Sequence, residues 1–382
     1  MSPPFPCREG GQGLGASNQM QRRLSAGEPG DLTAAEDDIL FEGDADFLSL
    51  PLRDGVTDVQ LDRVAGVVED GVVAVAGDAV LPVPKADEVL VRVAASGVNR
   101  ADLSQIAGRY PPPPGESEIL GLEVSGTVEE TGERVCALLA GGGHAEYAAV
   151  PAGLLFPTPP RPDLIAAAGI PEAFLTAFVN LVVEGEATGG ETVLVHAGAS
   201  GVGLAAIQVA KLRGARVAAT TRTAEKLPAL ERGGADLAVD TSRCDFADVI
   251  EERWGRNAVD MVLDPVGAAT LARDLRVLAV GGRIVVIATL GGAKVEADLA
   301  LLMQKRARLV GSTLRSRGRE EKARLVARFR EEMLPGFASG ALKVHVDSVF
   351  PPERAAEAFQ RMRENRNTGK ILIDWSSPSA RR

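Results

Sequence analysis

Cysteine is nearly absent from this chain. Its three copies, Cys7, Cys136 and Cys244, lie far apart with no C-x-x-C pair, which leaves no basis for a disulfide framework or a four-cysteine zinc lobe. A long apolar run is missing too: no uninterrupted stretch approaches the roughly 20 residues of a membrane span. There is no basic excess. Lys and Arg number 42 against 52 Asp and Glu, a formal charge of −10 with a pI near 5.1. That balance argues against a general binder of nucleic acid or membrane surfaces, which attract positive patches. The N-terminus shows no charged segment followed by an apolar core of secretory type, so a cytoplasmic location is the expectation.

What is present describes an ordinary globular protein. Hydrophobic residues make up 45% and charged residues 25% of 382, enough chain for two domains. Residues 1–55, rich in Gly, Pro, Ser and charge without periodicity, read as a disordered extension. From 56 to 168 the signals are those of β structure. Asp87 to Ser96 alternates as a half-buried strand should, and short strands are expected around Val124–Val128, Arg134–Leu138 and Ala145–Val150. Tyr110 to Glu116, "YPPPPGE", reads as an extended surface loop, because proline cannot donate to a ladder. From 169 to 314 apolar strands alternate with helices. Candidate strands are Thr192–Ala197, Arg216–Thr221, Asp236–Asp240, Val259–Asp264, Arg283–Ala288 and Arg308–Thr313, several of them continuous apolar runs. Six strands with helical crossovers imply an α/β fold with a doubly wound parallel sheet. Residues 315–375 read as two helices around a strand, ending on "KILIDW", which is expected to return to the first domain; 376–382 read as a flexible tail.

The stretch "VLVHAGASGVGLAAIQVAK" places strand, glycine turn and helix in the order that dinucleotide binding requires. Gly198 is expected to make the tight turn, Gly201 to admit a pyrophosphate, and Gly203 to let helix and strand pack closely. Ala199, Ser200 and Val202 complete the turn, and the helix N-terminus offers N–H groups to phosphate. Ser200 stands where the usual motif has glycine and adds a hydroxyl. The end of the second strand chooses the cofactor. An acidic residue there would hold a ribose hydroxyl; Thr221, Arg222 and Lys226 suit a 2′-phosphate instead, by charge and by threonine hydroxyls. NADPH is therefore expected over NADH. The alternative is a solvated helix start.

The stretches "SGVNRADLSQIAGRYPPPPG", "ILGLEVSG", "GGGHAEYAAVP", "AAAGIPEAFLTAF" and "HAGASGVGLAAIQVAK" together resemble the medium-chain dehydrogenase/reductase superfamily. Within it they are similar to zinc-independent quinone oxidoreductases, most to the tumour-suppressor-inducible quinone reductase subgroup, from about Val83 to Ile373. The resemblance implies a GroES-like β-rich catalytic domain built from both chain ends, a Rossmann domain between them, and NADPH in the cleft. Zinc-dependent members carry a cysteine and a histidine where this chain has Asn99 and Leu122, which cannot replace a thiolate and an imidazole around Zn²⁺; no metal is expected. By the same resemblance, Asn99 and Tyr110 hydrogen-bond the oxygen of a quinone or enone. The competing readings are a turn-stabilising amide and an interface aromatic. Ser104 stands where some relatives have another tyrosine. Thr176 would face the cofactor, and Asp264 and Val266 in "DPVG" would lie near the nicotinamide ribose. Ala288 to Leu290 would offer backbone groups to the carboxamide, and Arg315 and Lys370 would be late cofactor-side residues. His196 is expected to pack against the sheet, and His144 and Tyr147 to belong to a strand.

Three functions compete on these residues: an NADPH-dependent quinone reductase, an enoyl reductase acting on α,β-unsaturated ketones or thioesters, and a crystallin-like binding protein. A homodimer is expected, with the apolar "RIVVIATL" strand pairing edge to edge.

Overall fold

The computed structural model describes residues 80–376 in full and, ahead of them, only the backbone of short strands β1 (Leu48–Ser49), β2 (Leu61–Val64), β3 (Val67–Glu69), β4 (Val72–Ala74) and β5 (Gly77–Val80). The extension expected over 1–55 lies outside the described residues except for Leu48–Ser49, which pairs in parallel with β5. The tail at 377–382 also lies outside them.

Strand β6 (Glu88–Val98) follows the alternation of its sequence where one face is wet: Val91 and Val93 are buried and Arg92 between them is exposed. From Ala95 to Val98 every residue is buried. Here both faces are covered, by Ile165 and Ala168 at and beyond helix α2 (Leu164–Ala167) and by Trp375, whose indole N–H donates to Ser96 Oγ at 2.9 Å. Before α2, β6 runs into helix α1 (Arg100–Ile106) and is flanked by β7 (Glu123–Val128), β8 (Arg134–Leu138), β9 (Tyr147–Pro151) and β10 (Leu155–Pro157). These strands share a mixed sheet in the order β10-β8-β7-β6, with β9 also on β6.

A second sheet follows helix α3 (Pro171–Phe178) and its π-helical continuation Val179–Glu184. Strands β11 (Thr192–Val195), β12 (Arg216–Thr221), β13 (Leu237–Asp240), β14 (Val259–Asp264), β15 (Leu278–Val286) and β16 (Arg308–Gly311) pair in parallel in the order β13-β12-β11-β14-β15-β16. The crossovers carry α4 (Gly201–Leu212), α5 (Leu227–Arg232), α6 (Phe246–Trp254), α7 (Leu271–Val277) and α8 (Leu299–Lys305). Leu194, Phe246, Ile250, Leu275 and Ile284 form the core on one face of this sheet. The reversal of strand order at β11 and β14 makes the crevice in which such sheets bind ligands.

The chain then returns. After α9 (Arg319–Ser339), β17 (Val346–Phe350) and α10 (Ala355–Arg363), strand β18 (Lys370–Asp374) pairs antiparallel with β6, Ile371 opposite Val98. "KILIDW" thus completes the first sheet, as its apolar run implied.

Two expectations are corrected. "RIVVIATL" is not an edge: β15 has β14 on one side and β16 on the other, because the crossover through α8 brings Arg308–Gly311 into register with Arg283–Val286. The edge is β16. His144 precedes β9 instead of lying in it; its ring is fully buried and bonded to Ser96 Oγ at 2.8 Å, while Tyr147 does open the strand.

Candidate active site

The glycine turn is built mostly by backbone. The left-handed residue is Ala197, with φ of 49°, not Gly198; Gly198 is instead tethered through its N–H to the Thr220 carbonyl at 2.7 Å. Ser200 caps α4, its Oγ accepting from the Gly203 N–H at 2.9 Å. That use of the hydroxyl leaves the N–H groups of Gly201 and Val202 in the first turn, where a helix has no internal acceptors for them. Gly203 is required by contact: a Cβ there would sit 2.4 Å from the Ala197 carbonyl oxygen.

The returning chain docks on this turn. Gly369 N–H donates to the Ala199 carbonyl at 2.9 Å, and Ser200 bridges Gly369. The aliphatic stem of Lys370 then passes beside Gly201, its Cδ 2.5 Å from where a Cβ would stand. Its ammonium is buried and donates to Glu123, to Asn99 Oδ1 at 2.7 Å and to the Val98 carbonyl at 3.2 Å. Glu123, fully buried, also accepts from Asn99 Nδ2 at 2.9 Å and from the Glu172 backbone N–H at 2.8 Å. Asp102 accepts from the Asn99 and Gly121 N–H groups at 2.7 and 3.1 Å. Both amide hydrogens of Asn99 are therefore spent, on Glu123 and on the Gly97 carbonyl. The structure gives Asn99 a positioning role at the head of α1 and leaves it no donor for a substrate oxygen.

Tyr110 is different. Its loop is pinned by Arg315, whose guanidinium donates to the Tyr110 carbonyl at 2.9 Å, to Gln105 Oε1 and to the Ala140 carbonyl at 2.7 Å, and stacks 5.0 Å from the Tyr110 ring centroid. The half-buried phenol hydroxyl has no hydrogen-bond partner among the described residues. Burial, aided by the Glu172 carboxyl and opposed by Arg315, holds the phenol above its ordinary value. Arg315 is thus a clamp on the tyrosine loop.

The remaining expected residues divide by what already engages them. Thr176 is buried and its Oγ1 has no partner among the described residues. Asp264 is consumed in its own turn, accepting from the N–H groups of Val266 and Gly267 and from Thr270 Oγ1. The Leu290 N–H donates to the Pro265 carbonyl at 3.1 Å, which leaves Ala288 as the neighbouring backbone candidate. Thr221 is buried at the end of β12. The Thr220 hydroxyl is turned away from any phosphate, onto His196 Nδ1 at 2.9 Å; His196 Nε2 bonds Asp274 at 2.7 Å, a packed network under the turn. Arg222 is exposed. Lys226 donates to the carbonyls of Asn365 and Asn367 at 2.5 and 2.8 Å. Burial holds its ammonium below the usual value against Asp347, with Arg222, Arg100 and Arg361 adding to the lowering. Four cations therefore gather at this corner of an acidic protein.

Glu123, Asp102 and Glu172 carry much of the site's chemistry and were not singled out by sequence reasoning. The available signal was an acidic residue set inside apolar runs, as in "LGLEV" and "GIPEAFL". An amide-lined helix start, a glycine that a side chain would displace and an orphaned buried Thr176 hydroxyl fit a dinucleotide between the two sheets.

Comparison with known proteins agrees with this geometry. Residues 85–160 match the alcohol dehydrogenase GroES-like domain and 201–331 the zinc-binding dehydrogenase family. The chain is 30% identical to quinone oxidoreductase of Sus scrofa over 78% of this chain and 92% of that protein. It is 34% identical to the quinone oxidoreductase from Thermus thermophilus, solved alone and with NADPH, over 82% of this chain and 100% of that one, with a TM-score of 0.70. A segment comprising 14% of a phenolphthiocerol/phthiocerol polyketide synthase chain of Mycobacterium tuberculosis is 33% identical over 76% of this chain. Fold and site together define an NAD(P)H-dependent oxidoreductase of two-domain, Rossmann and GroES-like construction. The chain belongs to the quinone oxidoreductase-like family of the medium-chain dehydrogenase/reductase superfamily.

Proposed function

We propose that this protein is an NADPH-dependent, zinc-independent reductase that passes hydride to quinones. The observation that carries the reading is the Tyr110 hydroxyl, half-buried, clamped by Arg315 and without a protein partner among the described residues, on a wall where Asn99 and Leu122 replace metal ligands. Among the described residues no three His, Cys, Asp or Glu side chains gather to hold a metal ion. Reduced nicotinamide, when bound, supplies the hydride; the chain positions the acceptor and damps its developing negative charge. Tyr110 does this by donating a hydrogen bond to the acceptor oxygen, and the Lys370–Glu123–Asn99 cluster holds the wall against the glycine turn.

The second reading is an enoyl reductase acting on α,β-unsaturated ketones or thioesters, favoured by the polyketide synthase match. NADPH oxidation against quinones, enones and acyl-CoA thioesters separates the two. On the same panel Tyr110→Phe should lower kcat/KM about ten-fold or more, on the order of 1.4 kcal/mol. The loss should be larger on a weakly activated enone than on a reactive quinone. Full activity of the variant on both classes would make the tyrosine a packing residue.

For the cofactor, Lys226→Ala should raise KM for NADPH and leave NADH nearly unchanged, since its ammonium adds to the positive charge of Arg222, Arg100 and Arg361 that would face a 2′-phosphate. Equal losses would assign Lys226 to holding the 365–367 turn alone. We also propose a homodimer through the β16 edge, where Leu309 is 51% exposed beside Leu299 and Met303 of α8 at 66% and 74%. Light scattering at micromolar concentration should give twice the chain mass, and a monomer would count against it. No helix among the described residues is long and apolar enough to cross a membrane.

A further inference from the structure

Glu172 stands in the first turn of α3, within electrostatic reach of Tyr110. Among the described residues its carboxyl makes no hydrogen bond or ion pair, although its own N–H is held by Glu123 at 2.8 Å. Four residues on stands Thr176, nine-tenths buried, with its hydroxyl also unpartnered. Side chains four apart lie above one another on one helix face. A carboxyl and a hydroxyl without protein partners among the described residues therefore share one stripe of α3, within electrostatic reach of the Tyr110 phenol.

The titratable groups facing Glu172 come from six places: Glu123 on β7, Asp102 on α1, Lys370 on β18, Arg315 beyond β16, Lys322 on α9 and the Tyr110 phenol after α1. Glu123 and Asp102 oppose ionisation of the Glu172 carboxyl, while Lys370 and Arg315 favour it. A first-turn acid is ordinarily favoured as the anion by the helix dipole. Here burial, then Glu123, outweigh that and the pull of Lys370, and the carboxyl is pushed up to about 8. The neutral acid is therefore the favoured form at pH 7.

We propose that Glu172 is the proton donor of the reduction, its carboxylic acid protonating the acceptor oxygen as hydride is delivered. This rests on the reductase reading above. The acceptor gains two electrons and one hydrogen as hydride, at the expense of reduced nicotinamide, and its oxygen takes a proton as the O–H bond of Glu172 breaks. The carboxylate left behind recovers a proton from water once product departs. Tyr110 orients the oxygen and Glu172 supplies the proton.

Glu172→Gln keeps the shape and removes the titration. The first readout needs neither cofactor nor acceptor. A carboxyl whose value in the fold, about 8, lies above its ordinary 4.5 contributes stability that is complete below about 4.5 and lost as pH rises through 8. The melting temperature of Glu172→Gln relative to the unaltered protein should therefore climb between pH 5 and 8 and level off above. A flat difference overturns the proposal. In turnover, kcat/KM of the unaltered enzyme on an enone should fall as pH rises through about 8. Glu172→Gln should be lower by roughly 100-fold at pH 7 and lack that limb. Glu172→Asp should recover part of the rate, and NADPH affinity by fluorescence should be unchanged. An active enzyme with an unimpaired Glu172→Gln overturns this proposal alone. An unaltered enzyme inactive on every quinone, enone and thioester overturns the reductase reading, and the proton donor with it, even where the carboxyl titrates near 8.

Discussion

Lys370→Met should destabilise the fold by about 3–5 kcal/mol, the usual cost of removing one partner from a buried ion pair. The ammonium is buried and answers three acceptors, Glu123, Asn99 Oδ1 and the Val98 carbonyl. Methionine keeps the stem that packs beside Gly201 and Gly169, so the loss reports the charge and not a cavity. What remains is the Glu123 carboxylate, fully buried, with only Asn99 Nδ2 and the Glu172 N–H to answer it. The double variant Lys370→Met/Glu123→Gln should recover much of the loss, because the uncompensated charge is then gone. Denaturant unfolding of the unaltered protein, Lys370→Met and the double variant checks this. A single-variant loss under about 1 kcal/mol would mean that water reaches Glu123 and screens it.

Gly203→Ala should cost about 1–3 kcal/mol, as overpacking does, and weaken NADPH binding at least ten-fold. Its Cβ would lie 2.4 Å from the Ala197 carbonyl oxygen and 2.7 Å from Gly198 Cα. Both obstacles are backbone, so relief requires α4 to move off the strand, and the amides at its N-terminus move with it. Gly201→Ala is the comparison, since its added methyl meets the Lys370 side chain instead of backbone. Thermal melts and fluorescence titration of NADPH check both variants. Equal tolerance of alanine at the two positions would show that α4 is not held this tightly.

The strand–turn–helix order from β11 to α4, the six parallel strands and the return of "KILIDW" were legible in sequence. Each is written in local periodicity: continuous apolar runs for strands covered on both faces, punctuated by glycine and charged turns. Local pattern misled where pairing partners decided the outcome. "RIVVIATL" is as apolar as an edge seeking cover, yet β16 had already covered it. Gly198 was the natural residue for the left-handed turn, but Ala197 takes that conformation, with Gly198 tied to β12.

The chain alone thus determined the class of fold and the presence of a nucleotide turn, because these depend on residue type and short spacing. The tertiary structure alone decided the chemistry of the cleft. Asn99, Glu123, Glu172 and Lys370 come from four segments spread over more than 270 residues, and no periodicity links them. Only when β18 closes against β6 does Lys370 reach Glu123 and Asn99 Oδ1, while the Asn99 amide is spent on Glu123 and the Gly97 carbonyl. Ionisation and hydrogen-bond satisfaction depend on burial and on distances of about 3 Å, and those are fixed by packing between distant segments, not by their order in the chain.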